Sequence, residues 1–365
     1  MPNTPSGHGG QKSLYNLLEP PALIRLFRDH PPLDFVCPVS PVPLFFTNYD
    51  LLTTLGGSAR SLLEALPFIK PGSGPLTWSA CFAGTTVTEY APLPKNLSPD
   101  ETLDLLLAAR SEDEDGPRTL HIIKDLPSDS PLLPEEDNHF ARKTAEAALA
   151  RGFISVEGQA LAHVPISFTS EEDYLSRLSA SRRKDLRRKL KKRNSLDISS
   201  LPLGHPEIAS VNFIEEAYEL YLQVFEQSEI HFDLLSREYF AALLGGRDIQ
   251  GVIFLYRHMG RLAGYNICLE YGGNLVDKYI GFRYPLAREL NLYFISWMVN
   301  LAYARSKNYA WYIAGWTDPE VKASLGASFT FTRHLVWVKN PVLRAILRPL
   351  RRFFETDANT LRAGT

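Results

Sequence analysis

Little in this 365-residue chain points to a metal, a disulfide framework or a bilayer span. Its three cysteines, Cys37, Cys81 and Cys268, stand far apart without metal-ligand spacing, which fits a reduced, cytoplasmic setting. No apolar run reaches the roughly 18 residues that a membrane crossing needs, and the opening MPNTPSGHGGQKS has no signal-peptide core. The formal net charge is -2, so nothing global favours nucleic acid and any anion site must be local. The chain has no G-x-S-x-G elbow, P-loop or H-E-x-x-H, and its nine histidines show no paired metal spacing. Nucleophile-elbow hydrolases, P-loop nucleotide hydrolases and zinc proteases are thereby set aside.

Apolar content is ample, and the length suits two domains or one large one. The most informative stretch runs from Val276 to Ala327. It reads as a strand, VDKYIGF, then a turn and a long helix, ARELNLYFISWMVNLAYARSKNY. A second strand, AWYIAGW, and a short helix opened by Asp318-Pro319 and closed by LGA complete it. Strand, helix and strand at this spacing form a crossover unit, which predicts two parallel neighbouring strands. The long helix is apolar on every side, as a helix buried against a sheet is. Polar and aromatic groups crowd the strands: Asp277, Lys278 and Tyr279 on the first, Trp311, Tyr312 and Trp316 on the second. Ligands of crossover sheets bind near the carboxyl ends of such strands, so a site is expected here.

Upstream, strands are expected at Leu44–Phe46, Leu76–Phe82 and Thr119–Ile123, with helices near Ser61–Leu66, Pro99–Arg110 and His139–Arg151. SLYNLLEPPALIRLF suggests a short helix before them, and Gly152 a C-cap. The acidic run SEDEDGPR reads as a solvated loop. Met259-Gly260 marks a hairpin. The expected organisation is a tail over 1–20, an α/β domain over 21–168, a second over 169–340, and an amphipathic basic helix with its tail over 341–365.

Three segments carry a family likeness: DKYIGF, the long helix ending ARSKNY, and AGWTDPEVKASLGA. With the basic helix in SEEDYLSRLSASRRKDLRRKLKKRNS, they resemble the acyl-transfer core of the GNAT superfamily, in its FemAB-like branch of peptidyl and aminoacyl transferases. The resemblance implies tandem GNAT-like folds with mixed sheets flanked by helices, the first copy degenerate. It further implies transfer of an acyl or aminoacyl group to a primary amine, with acyl-CoA or aminoacyl-tRNA as co-substrate and no tightly bound cofactor or metal. Lys322 matches a family lysine that steadies the developing oxyanion. The family's glycine-rich coenzyme turn corresponds here to Phe282-Arg283-Tyr284-Pro285-Leu286-Ala287-Arg288, in which proline offers no amide. Arg283 and Arg288 then stand as side-chain grips for phosphate or as surface charges.

Each site residue has a plainer alternative. Asp277 is a general base for the attacking amine or half of a structural ion pair, and strand alternation sends it and Lys278 to opposite faces. Tyr279, Tyr312, Trp316 and Lys278 are pocket-lining candidates or packing residues. Nine cations and one acid lie between Ser181 and Arg193, among them Arg187, Arg188 and Lys191. So dense a cluster marks a phosphate-bearing donor, a tRNA end or anionic lipid headgroups, or else a solvated face. Val342, Leu343, Ile346, Leu347, Leu350, Phe353 and Phe354 form an apolar stripe opposite arginines, which suits a membrane interface at the inner leaflet or docking on the protein's own core. The rival to catalysis is a binding or scaffold protein that kept the fold.

Overall fold

The computed structural model describes residues 14–50, 77–110, 119–228 and 232–350. The expected helix at Ser61–Leu66, the acidic loop and the two Phe residues at the end of the C-terminal stripe lie outside them. In chain order the elements are β1 (Leu14–Tyr15), α1 (Ala22–Asp29), β2 (Leu44–Asp50), β3 (Thr77–Ala83), β4 (Leu93–Pro94), α2 (Pro99–Ala108), β5 (Leu120–Pro127), α3 (Glu135–Ala150) and β6 (Ile154–Pro165). There follow α4 (Glu171–Ser176), α5 (Ala180–Leu190), a 3-10 turn (Lys191–Ser195), β7 (Asp197–Pro202), α6 (Val211–Gln227), α7 (Arg237–Gly245), β8 (Gly251–His258), β9 (Arg261–Tyr271) and β10 (Asn274–Phe282). The last elements are α8 (Leu286–Glu289), α9 (Leu292–Ser306), β11 (Trp311–Gly315), α10 (Pro319–Ser324), β12 (Ser328–Val338) and α11 (Pro341–Leu350).

One mixed ten-stranded sheet, ordered β2-β3-β5-β12-β6-β11-β10-β9-β8-β7, runs through the protein. The expected parallel pair is present: β10 and β11 pair through Asn274↔Trp311, Leu275↔Tyr312 and Val276↔Ile313, and then separate. A second parallel pair, β3 with β5, joins Ala80↔Leu120 to Ala83↔Ile123. The chain order β3-α2-β5-α3-β6 therefore repeats as β10-α9-β11-α10-β12. In the sheet the final strands are exchanged, since β6 pairs with β11 and β12 pairs with β5. The two exchanged strands pair antiparallel with each other, giving the sheet an approximate two-fold between β6 and β12. A cut at 165–169 falls between elements but not between sheets.

Local chemistry explains most boundaries. Ser98 and Glu101 form a reciprocal capping box at the start of α2. Gly152 (φ 87°) ends α3 in the left-handed region, and the Phe153 amide returns to the Ala148 carbonyl. The hairpin at Met259-Gly260 joins β8 to β9 as expected. Two expectations are corrected. The helix drawn over SLYNLLEPP forms only after Pro20-Pro21, as α1, because consecutive prolines break the i to i−4 ladder but suit a helix start. The long helix is two helices, divided where Asn291 takes φ 55°.

Packing covers both faces of the sheet. On one face α9 buries Ile295, Trp297, Met298 and Leu301 with Leu275, Phe254 and Tyr312. On the other, α6 and α7 bury Phe213, Leu220, Tyr239 and Phe240 with Tyr265, Ile267 and Val276. The apolar outer side of α9 is covered by α5, whose Lys189 ammonium sits 3.5 Å from the centre of the Phe294 ring. Leu343 and Leu347 of α11 pack into the core while Val342 stays exposed.

Candidate active site

The two strands of the C-terminal crossover part beyond Val276 and Ile313, and there β10 carries a bulge. Asp277 pairs with Cys268 but Tyr279 pairs with Ile267, so Lys278 is the extra residue. The bulge sends Asp277 toward α9 and both Lys278 and Tyr279 toward the opposite face.

Asp277 is held by three donors from three elements. Asn266 Nδ2 of β9 donates to Oδ1 at 2.6 Å, Tyr312 Oη of β11 to Oδ2 at 2.7 Å, and Asn300 Nδ2 of α9 to Oδ2 at 3.3 Å. Asn300 also donates to Tyr312 Oη at 3.1 Å, and Cys268 Sγ donates to Asn266 Oδ1 at 3.1 Å. Burial raises the carboxyl of Asp277, while its donors and the Lys322 ammonium oppose that rise. Tyr312 is wholly buried, so it serves Asp277 and lines no open space.

Lys322 stands in α10, directly after the splay, with only 4% of its surface exposed. Its Nζ lies 3.9 Å from where a Cβ on Gly315 would stand, and Gly315 closes β11 at φ 75°. A side chain at 315 would be strained by that φ and would stand in contact with the ammonium. Among the described residues the ammonium of Lys322 makes no hydrogen bond or ion pair. Burial brings its pKa down from 10.5 to about 8, against the pull of Asp277, Glu89 and Asp318.

The remaining sequence candidates separate. Lys278 is buried in an ion pair with Glu19 and Glu89, and Tyr279 Oη meets Tyr239 Oη at 2.8 Å. Trp316 packs edge-on to Tyr90 at 6.3 Å. Arg283 bonds the Leu262 carbonyl at 3.0 Å and Glu216 at 2.7 Å, and lines a cleft of about 410 Å³ with Arg257 and Arg261. Arg288 donates to Gln227 and lies over the Tyr284 ring. In the turn that they bracket, the Arg283 amide goes to the Ala263 carbonyl and the Tyr284 amide to Gln223 Oε1 at 3.0 Å. With Pro285 between them and α8, no backbone nest is left for a pyrophosphate. Four of the nine cations in the basic segment are paired with three acids: Arg187 with Glu172, Arg188 and Lys189 with Asp185, and Arg193 with Glu171. Lys191 and Lys192 stay exposed.

Four residues of this arrangement went unread in the sequence. Asn266 and Asn300 are each fully buried in otherwise apolar elements, and a lone amide inside an apolar helix or strand was the available signal. Glu19 and Glu89 carried none, since they come from the other half of the chain. Among the described residues, no cluster of three or more His, Cys, Asp or Glu side chains has metal-binding geometry, and no helix is long and apolar enough to cross a membrane.

Residues 180–323 match the model of the acetyltransferase (GNAT) domain family. No curated protein matches the chain by sequence. Among solved structures, FemX aligns at 11% identity with a TM-score of 0.50, over 90% of this chain and 98% of that one. L-PGS from Bacillus licheniformis aligns at 11% identity with a TM-score of 0.51, over 93% and 98%. At such identity these two speak to the fold, and they speak to nearly all of it. Residues 180–323 thus resemble the acetyltransferase (GNAT) domain family, and nearly the whole chain shares the fold of FemX and L-PGS.

Proposed function

We propose that the protein is an N-acyltransferase, moving an acyl or aminoacyl group from an activated donor to a primary amine. The observation that carries this reading is the buried, unpartnered Lys322 ammonium at the mouth of the β10–β11 splay. When an amine attacks the donor carbonyl, the new C–N bond forms as the carbonyl π electrons move onto oxygen. A fixed ammonium steadies that oxyanion, and such stabilisation is worth about 3–4 kcal/mol. Collapse restores the carbonyl, expels the leaving group of the donor and leaves the amide. The added amine must shed a proton, which Asp277 or the amine's own surroundings accept in this reading. Three donors already point at Asp277, so its larger contribution is to keep Lys322 charged at neutral pH.

The spent amides of Arg283 and Tyr284, with Pro285 offering none, argue against a donor held by a backbone pyrophosphate nest. Acyl-CoA then requires side-chain grips such as Arg283 and Arg288. Aminoacyl-tRNA requires only a basic approach, for which Lys191 and Lys192 are exposed. Both donors are cytoplasmic species, which supports a cytoplasmic setting in this reading, with the exposed basic face free to meet anionic headgroups. The same turn favours the second reading, a fold kept for binding without turnover. Thermal-shift screening of acyl-CoAs and aminoacyl-tRNA, followed by turnover assays on each hit, separates the two, because a ligand raises the melting temperature with the logarithm of its concentration. Turnover that drops at least tenfold in Lys322→Ala supports the enzyme; stabilisation with no turnover for any donor supports the binder.

A further inference from the structure

The cluster on the far side of the bulge takes no part in the chemistry above. Lys278 Nζ lies 2.5 Å from Glu89 Oε1 and 3.3 Å from Glu19 Oε1. The Glu89 amide donates to Glu19 Oε1 at 2.8 Å. Exposure of the three side chains is 6% for Lys278, 3% for Glu89 and none for Glu19. One oxygen of each acid is thus engaged. Among the described residues, Glu19 Oε2 and Glu89 Oε2 are buried without any hydrogen-bond partner.

When both acids are ionised, two carboxylates share a single lysine, and one negative charge then has no further cation at ion-pair distance among the described residues. Buried ionic groups with unmet hydrogen-bonding capacity are costly, and an apolar trio of like volume would serve the fold better. The three residues come from separate places: the segment before α1, the loop after β3, and the β10 bulge. Lys278 follows Asp277 at the β10 bulge, and Tyr90, next to Glu89, packs on Trp316 just after β11, so the cluster adjoins the acyl-transfer centre. What is missing is a cationic donor of hydrogen bonds.

We propose that Glu19 and Glu89 form a subsite for a protonated primary amine, whose N–H groups donate to the two free Oε2 atoms beside Lys322. A bound ammonium supplies both missing donors and cancels the surplus charge, which a neutral ligand cannot do. The assignment rests on the acyl-transfer reading only for what the ammonium belongs to, the acceptor amine or the α-amino group of an aminoacyl donor. The charged and titratable groups around Glu19 are Lys278 and Tyr279 of β10 and Glu89 and Tyr90 of the loop after β3. Burial lifts the Glu19 carboxyl to about 7, with Glu89 adding to the rise and Lys278 opposing it. Below that pH the cluster is close to neutral, so amine affinity should climb from pH 6 to pH 8 and binding near pH 7 should release protons.

The test is calorimetry and thermal shift on the full chain with cadaverine, which stands for an acceptor amine, and L-alanine amide, which stands for an aminoacyl group. The neutral 1,5-pentanediol serves as control. The expected result is saturable binding of at least one amine and none of the diol, with affinity falling at least tenfold in Glu89→Gln and in Glu19→Gln. Whichever amine binds tighter assigns the ammonium. Should either Gln variant fold poorly, proton release from the wild-type protein, read in buffers of different ionisation enthalpy, decides instead. Failure of both amines to bind, unchanged affinity in both Gln variants, or binding without proton release near pH 7 overturns the proposal. Lys322→Ala should still bind amine; full turnover in that variant would remove Lys322 from the oxyanion role, and no turnover of the wild type with any donor would sink the acyl-transfer reading, while either result leaves the subsite standing.

Discussion

The two crossover units share a topology and differ in what fills the gap between their parallel strands. In the N-terminal unit the chain plugs its own splay: the Ala91 amide bonds the Asp125 carbonyl at 3.0 Å, alongside β5. A Cβ on Gly84, at φ 122°, would sit 3.7 Å from Ala91 Cα, so the loop closes tightly there. Where the C-terminal unit has Lys322 in the helix after its second strand, the N-terminal unit has Asp137 and Asn138 in α3. Both are satisfied: Asp137 accepts the Asn16 amide at 2.7 Å, and Asn138 exchanges two 2.9 Å bonds with the Ser130 backbone. At these matched helix positions one gap holds satisfied polar groups, and the other a buried ammonium with no partner among the described residues. Fully satisfied polar groups rigidify, whereas an unsatisfied charge keeps a differential interaction in reserve for a transition state. The N-terminal unit nonetheless contributes to its twin, since its splay-filling loop carries Glu89 toward Lys322.

The largest expected effect comes from Lys322. Changing it to Ala or Met should reduce turnover by about 100-fold or more if it holds the oxyanion. Folding should gain by the same change. The pKa of Lys322 falls from 10.5 unfolded to about 8 folded, so its charged form burdens the native state at every pH below 8. That burden is relieved as pH climbs from about 8 to 10.5, where the unfolded chain still binds the proton and the folded one does not. Melting curves across this range should therefore show wild type rising relative to Lys322→Met. Equal pH dependence of the two would remove the buried charge from the account.

Next in size is the matching position of the twin. Asn138→Ala leaves the Ser130 backbone amide unpaired in a buried site and removes one of the two donors to its carbonyl, and should cost about 1–3 kcal/mol by denaturant titration. Turnover per folded molecule should not change. A turnover loss like that of Lys322→Ala would make the two gaps functional equals and break the comparison.

Asp277→Asn sharpens it more finely. Activity should fall as pH rises through about 8, where the Lys322 ammonium is lost. Asp277 is the main group holding that proton on, so its neutral variant should move this alkaline limb to lower pH, by up to about one unit. An unmoved limb in a pH–rate profile would mean that another group sets it.

Smallest is the effect on stability of reversing Arg187, Arg188, Lys191 and Lys192 to Glu. The ion pairs of Arg187 and Arg188 are exposed, and such pairs contribute about 0–1 kcal/mol each, while Lys191 and Lys192 stand exposed without one among the described residues. If the basic face meets phosphates, affinity for tRNA or anionic vesicles should weaken and its salt slope flatten. An unchanged slope for both would leave α5 as the cover of α9 alone.

Much of the second half was legible because its signals are local. Period-two strands, the apolar helix, Asp318-Pro319 and the hairpin glycine at Gly260 each act within a few residues, and the parallel pairing of β10 with β11 follows from the spacing between them. Lys322 was legible through family likeness, though its burial was not. Proximity of Asn291 to the helix start hid the break between α8 and α9, because a left-handed asparagine has no strong signature inside a helical pattern. The repeat of the crossover in β3-α2-β5 was missed for a similar reason: short strands and an intervening loop carry weak periodicity.

Local sequence, then, determined the elements, their order and the crossover that opens the gap. Backbone propensity, capping and apolar spacing act over a few residues and need no knowledge of the rest. Tertiary structure alone decided that β6 and β12 exchange places, that Asn266, Asn300 and Tyr312 converge on Asp277, and that Glu19 and Glu89 meet Lys278. Those contacts join residues up to 259 positions apart, as Glu19 and Lys278 are. Charge pairing and burial depend on distance in space, and a linear pattern has no term for that distance until the sheet is assembled.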